Sequence, residues 1–159
     1  MINDTNLMRR IVTVAALATG LFTFAGAAQA QQVTSMTFEV RTGGDNLRGG
    51  NDNAFVVIFT DNGAVLRQQL NARNRELKDY TTARQTVRLP AGTDLSNIQG
   101  FGLLVRGFTG GFDGDNWNVD GLRITARLAD GRGYVMMNES ASPLYRFTGD
   151  NKSFTRNIR

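Results

Sequence analysis

The chain has 159 residues and a formal net charge of +4, and it contains neither cysteine nor histidine. This composition excludes disulfide frameworks, thiol nucleophiles, Cys/His zinc sites and histidine-based catalytic triads. Because 41% of the residues are apolar and 18 are glycine, the composition indicates a turn-rich globular protein, and because its positive charges are spread along the chain it indicates no nucleic-acid partner.

The first 30 residues are predicted to be a signal peptide. Arg9 and Arg10 precede an apolar stretch over 11–24 that is short for a membrane span. Ala28 and Ala30 supply the small residues that a signal peptidase requires, so we expect cleavage before Gln31. The domain proper is therefore predicted to occupy residues 31–159, and its location to be secreted or periplasmic.

Strand-like segments then follow one another along the chain. Met36, Phe38 and Val40 alternate with polar residues, which is the period of a half-buried strand. Residues 54–60 are almost wholly apolar and end in a turn signal at 61–63, which predicts a hairpin with 64–70. Residues 71–80 are charged and lack an apolar stripe, which predicts a loop or a short solvated helical turn. Further strands are predicted over 81–89, 100–108, 119–128, 133–137, 144–148 and 153–158.

Eight or nine short strands without a convincing amphipathic helix predict an all-β fold, an antiparallel β-sandwich. Its core is expected to be formed by the large apolar residues that alternation places on one face. These are Phe38, Val40, Phe55, Val57, Phe59, Leu103, Val105, Ile124, Leu128 and Phe147.

Two loops, 42–53 and 109–120, combine carboxylates and amides with glycines. Oxygen ligands on a backbone that is free to turn are what calcium requires, so we predict a calcium site there. The alternative is that the same residues only form Asx-turns. The candidate ligands are Asp45, Asn51, Asp52, Asp113, Asp115 and Asn116.

Aromatic residues lie close to the second loop. Trp117 is the single tryptophan and is expected to fill the core, the alternative being an exposed ligand platform. Phe108 and Phe112 flank a run of glycines with no evident cover, beside Arg106. We therefore predict these three residues to form a surface-binding tip.

Four motifs resemble the PLAT, or lipoxygenase-homology, domain over about residues 33–155. The first is Phe-x-Val-x-Thr-Gly at 38–43, and the second is Gly-Asn-Asp-x-x-Phe-Val-Val-Ile-Phe at 50–59, followed by Gly63. The third is Phe-x-Leu-Leu-Val at 101–105, and the fourth is Asn-Trp-x-Val-Asp-x-Leu-x-Ile at 116–124. The order and the rough spacing of these motifs are similar to those of the family.

The resemblance implies a sandwich of two four-stranded sheets that binds lipid surfaces or protein partners, often with calcium in the end loops. It marks Gly50, Asn51 and Asp52 as matching loop positions near the metal. The chain departs from the family at 106–108, where Arg-Gly-Phe stands in place of a His-Asp-Asn run. A usual carboxylate is thereby lost.

The function predicted from the sequence is a secreted, non-catalytic binding module whose end loops contact a lipid surface or a protein partner, with calcium assisting. One alternative is a carbohydrate-binding sandwich in which Trp117, Tyr134 or Tyr145 stacks on sugar rings, and another is an envelope protein without a ligand. A further alternative is a hydrolase that uses acids of the second loop, Asp113, Asp115 or Asp120. We assign no catalytic residue.

Overall fold

A computed structural model describes residues 31–108 and 115–158 of the chain. Eight strands account for most of them: β1 Val33–Thr42, β2 Asn53–Thr60, β3 Val65–Gln69, β4 Thr82–Arg88, β5 Ile98–Arg106, β6 Trp117–Leu128, β7 Gly133–Phe147 and β8 Ser153–Asn157. The two helical segments in this part of the chain are single 3₁₀ turns, Ala72–Asn74 and Leu95–Asn97. The first lies in the charged stretch for which a loop or a short helical turn was predicted.

The strands form two antiparallel four-stranded sheets, ordered β4-β1-β6-β7 and β3-β2-β5-β8. The predicted β-sandwich is therefore confirmed. The predicted signal peptide lies outside the described residues. Within the described ranges, no helix is long and apolar enough to cross a bilayer.

The core lies between the sheets and is lined by alternate residues of the strands. Phe38 and Val40 of β1 are fully buried, as alternation predicts. The remaining core predictions that hold are Leu103, Val105, Ile124, Leu128 and Phe147.

The predicted core face of β2 is wrong. Ala54, Val56 and Ile58 face the core and are fully buried. Phe55 and Phe59 are only half-buried. Val57 is buried as predicted, at 4% exposure, but it alternates with Val56 and Ile58 and lies outside their core cluster. Every residue from 55 to 59 is apolar, so no alternation in β2 specifies which face points inward. The core face is set by pairing with β5, which places Val56 opposite Leu103 and Ile58 opposite Phe101.

One strand is longer than the sequence indicates. The segments predicted over 133–137 and 144–148 are parts of β7, which pairs with β6 along its length. Between these parts the register shifts, since Val119 faces Tyr145 whereas Gly121 faces Ser140. Pro143 lies in this stretch, and β7 is an edge strand, where a proline is tolerated because no neighbouring strand needs its N–H.

Trp117 fills the core as predicted. Its side chain is fully buried, and its ring stacks on Phe147 with centroids 5.1 Å apart. Its indole Nε1–H donates a hydrogen bond of 3.1 Å to Oγ1 of Thr42, which is itself buried. The indole therefore has a partner in the core and no face on which a sugar could stack.

Candidate functional site

Four of the connections between strands gather at one end of the sandwich, which we call the loop end. It comprises residues 43–52, 70–81, 107–108, 115–116 and 148–152. The register shows why, since β1, β3, β5 and β7 all end there and β2, β4, β6 and β8 all begin there. Loops at the end of a rigid sandwich are the common location of binding residues.

The first two of these loops are tied together by main-chain and side-chain hydrogen bonds. Leu47 and Leu77 exchange both backbone bonds, at 3.1 and 2.8 Å, and both side chains are buried. The buried Asn71 accepts from the Ala54 N–H and donates to the carbonyl of Asp52 at 3.0 Å. No motif in the sequence signals this role of Asn71.

The two loops singled out in the sequence also meet here. The backbone N–H of Arg48 donates to Oδ2 of Asp115 at 2.8 Å, and its guanidinium Nε lies 3.3 Å from Oδ1. The backbone N–H of Asn118 donates to the carbonyl of Asp45 at 2.9 Å. The two loops therefore lie side by side at the loop end.

Carboxylates at this end are electrostatically coupled. Asp115 is 4% exposed, and burial raises its pKa, an effect that the Arg48 backbone N–H and guanidinium partly offset and that the charge of Asp52 reinforces. Burial also raises the pKa of Asp45, against the attraction of Arg146 at 3.0 Å and with the repulsion of Asp115. The acids thus lie close enough to disfavour one another's charge.

The candidate calcium ligands do not form a ready cation site. Asp115 is engaged by Arg48 and Asp45 by Arg146, so a cation would have to displace an arginine from each. Within the described part of the chain, no three acidic side chains are placed to hold a metal. Asn51 is exposed and Asn116 half-buried, and the candidate Asp113 lies outside the described residues.

The predicted surface-binding tip is wrong at Phe108. This residue is 2% exposed and belongs to the core, and Nζ of Lys152 donates to its carbonyl at 2.7 Å. Gly107, at φ +94°, lets the chain turn inward before Phe108, because a Cβ at that position would lie 2.0 Å from the carbonyl oxygen of Asn51. Arg106 is exposed, with its guanidinium carbon 5.7 Å from the centroid of the Phe55 ring, and Phe112 lies outside the described residues.

An exposed aromatic residue at the loop end is Tyr80, which is not among the residues predicted from the sequence. Its side chain is 77% exposed, and its backbone has φ +56°, a region that bulky residues rarely adopt. Its N–H donates to the carbonyl of Gly43 at 3.1 Å, and its hydroxyl lies where a Cβ on Gly44 would be only 2.6 Å away. The phenol ring therefore extends over a bare glycine. A tyrosine at the end of a charged stretch was the signal available in the sequence.

Solved structures with the same fold include two clostridial toxins. No protein-family model and no curated protein sequence matches the chain. Clostridium perfringens alpha-toxin from an avian strain is 18% identical, with 82% of this chain and 32% of the toxin covered and a TM-score of 0.60. Alpha toxin from Clostridium absonum is 14% identical, with 87% and 34% covered and a TM-score of 0.61.

A lipoxygenase solved with arachidonate is 21% identical, with 77% of this chain and 16% of the enzyme covered and a TM-score of 0.49. The chain spans about a third of the length of the toxins. The likeness to the toxins is one of fold, and the chain has the PLAT-like sandwich that its motifs resemble.

Proposed function

We propose that the protein is a secreted or periplasmic, non-catalytic module that binds a lipid surface through its loop end, with Tyr80 as the principal contact. The observation that carries this proposal is a tyrosine held in a strained backbone conformation with most of its side chain in water. Backbone strain of this kind costs about 1–3 kcal/mol and recurs at binding sites. An exposed ring recovers little of that energy within the folded chain.

Burial of the Tyr80 ring in a lipid surface would contribute favourable free energy that offsets the cost of the strained backbone. Fully burying a large apolar side chain is worth about 1.5–3 kcal/mol. Tyrosine also suits the boundary of a bilayer, because its ring can enter the apolar region while its hydroxyl stays hydrated. The resemblance to PLAT domains, which implies binding to lipid surfaces or protein partners, supports the same conclusion.

The structure weakens two of the alternatives. The buried Trp117 cannot stack on a sugar, and the Tyr145 hydroxyl already donates to the carbonyl of Ser153 at 2.8 Å. Among the acids considered for hydrolysis, Asp115 is already occupied, because its two oxygens accept hydrogen bonds from the Arg48 and Asn116 backbone N–H groups. Each alternative therefore loses one of its candidate residues, Trp117 for the sugar-binding sandwich and Asp115 for the hydrolase.

Sedimentation with phospholipid vesicles tests the proposal. We expect Tyr80→Asn to weaken vesicle binding about tenfold, since an aromatic contact worth about 1.4 kcal/mol is removed. Asparagine tolerates positive φ, so the melting temperature should stay the same or rise. Tyr134→Asn is the matched control, because Tyr134 is 50% exposed and lies near the opposite end, on β7. Equal loss of binding in both variants, or no binding by the wild type, would overturn the proposal.

Calcium assistance remains a separate prediction from the sequence. It is supported by the coupled carboxylates Asp45, Asp52 and Asp115 at the loop end, and binding requires Arg48 and Arg146 to release two of them. Melting curves in millimolar calcium and in chelator are the test. A rise of several degrees in calcium, absent from Asp52→Ala paired with Asp115→Ala, would support the ion, whereas identical wild-type curves would remove it from the proposal.

A further inference from the structure

Positive charge is concentrated on one surface of the sandwich, the outer face of the β4-β1-β6-β7 sheet. Five arginines on β4, β1 and β6 occupy positions that alternate with core residues, and all five are exposed. We call this surface the arginine face, and its basic members are Arg41, Arg84, Arg88, Arg123 and Arg127.

Two carboxylates lie on these three strands beside the five arginines, Glu39 and Asp120. Glu39 of β1 pairs with Arg84 and lies 3.9 Å from Nε of Arg123. The other described residues carry ten basic and ten acidic side chains. The net positive charge of the described chain therefore resides on the arginine face.

The strand register arranges the arginines in two dimensions. Arg88 and Arg127 flank Ser35 in one row across the sheet, and Arg84 and Arg123 flank Glu39 in another. Neighbouring strands lie about 4.8 Å apart and residues four apart on a strand span about 13 Å, so these four arginines form a rectangle of about 10 by 13 Å. A linear polyanion could pair with the arginines of one row, whereas a planar array of phosphates can pair with the arginines of both rows.

Small polar side chains lie between the two arginine rows. Thr37, Thr86 and Thr125 form the row between them, and Thr37 and Thr86 share a hydrogen bond of 2.9 Å. Gly121 leaves a shallow depression of about 280 Å³ beside Arg41 and Arg123. Phosphate groups can therefore reach the arginine face from solvent without meeting bulky side chains. Guanidinium groups bind phosphates in a bidentate manner.

The arginine face adjoins the loop end. Arg41 pairs with Thr82, two residues after Tyr80, and the backbone N–H of Thr42 donates to the carbonyl of Thr81 at 2.9 Å. Tyr80 therefore lies at the edge that the face and the loop end share. A tilted sandwich can place Tyr80 at the boundary of the apolar region while the arginines reach headgroup phosphates.

We propose that the arginine face docks on the anionic phospholipids of a bilayer, so that the protein selects membranes by charge. This inference rests on the proposed lipid-binding function and names the lipid class. Arg88 and Arg127 are the residues to test, because within the described part of the chain neither has an ion-pair partner whose loss would disturb the fold.

Sedimentation with two kinds of vesicle separates the inference from the proposed function. We expect wild-type protein to bind phosphatidylcholine vesicles containing phosphatidylglycerol far more tightly than phosphatidylcholine alone, and less tightly as salt is raised. Each arginine near an anionic surface contributes about fivefold, so Arg88→Gln combined with Arg127→Gln should lose about 25-fold on the anionic vesicles. Arg67→Gln removes one charge from exposed β3 in the other sheet and should match the wild type.

Four results would overturn the inference. If the wild type binds both vesicles equally, or if the double variant matches Arg67→Gln, the arginine face does not dock on lipid, although the proposed function survives. If the wild type binds neither vesicle, both fail. If heparin is bound instead and the double variant loses that binding, the face recognises a linear polyanion.

Discussion

Replacing Phe108 by serine tests whether this residue belongs to the core or to a binding tip. The ring is 2% exposed and packs in the core cluster, at the end of β5. Truncating a buried phenylalanine costs about 3–5 kcal/mol, and a serine hydroxyl in the vacated space adds an unpaired polar group. Since folded domains have about 5–15 kcal/mol of stability, Phe108→Ser should consume a large part of it.

The measurement is the midpoint of thermal and urea unfolding, with Phe55→Ser as the control of the same substitution. Phe55 is half-buried on the outer face of β2, and its loss should cost only about 1 kcal/mol. We expect the melting temperature to fall by at least about 10 °C for Phe108→Ser and by much less for Phe55→Ser. Equal stability of the two variants would refute the placement of Phe108 in the core.

Three further substitutions follow from local geometry. Thr42→Val leaves the Trp117 indole N–H without its acceptor and should lower the free energy of unfolding by about 1–3 kcal/mol in urea titrations, whereas an unchanged midpoint would contradict that bond. Gly107→Ala should destabilise by at least about 1 kcal/mol, because φ is +94° and a Cβ would meet the Asn51 carbonyl, and a neutral effect would show that the turn relaxes freely. Burial raises the pKa of Asp115 in the folded protein, so ionisation of this carboxyl opposes folding. The contribution of Asp115 to stability therefore falls as the pH rises from its unfolded-state pKa through its folded-state pKa. Asp115→Asn should lack that fall when melting temperatures are compared across acidic pH, and a wild-type profile in the variant would contradict the raised pKa.

Strand patterns predicted the sandwich because most strands have one buried and one exposed face. In β1 the polar positions Thr37 and Glu39 lie between buried Met36, Phe38 and Val40, so period and face are both readable. In β2 both faces are apolar, and only the pairing with β5 decides which side enters the core. A pairing between strands separated by about 45 residues is not contained in either segment alone.

The loop residues were harder to place because their exposure depends on distant contacts. Phe108 follows a predicted strand and precedes glycines, which resembles an exposed tip. In the fold, Gly107 packs against the Asn51 carbonyl and turns the chain inward, and Lys152 binds the Phe108 carbonyl. Tyr80 lies in a charged stretch whose neighbours give no sign of its positive φ. In that conformation its N–H donates to the carbonyl of Gly43, on a loop that is distant in sequence.

The arginine face shows how much of a charged surface can be predicted from a single sequence. Residues four apart in a strand share a face, so the spacing of Arg84 with Arg88 and of Arg123 with Arg127 indicates two arginine pairs. Nothing in the spacing places the two pairs side by side, because β4 and β6 are separated in sequence by β5 of the other sheet. They become neighbours only because β1 lies between them and pairs with both. A modest net charge spread along the chain can therefore become a dense basic surface in the fold, and the topology determines whether it does.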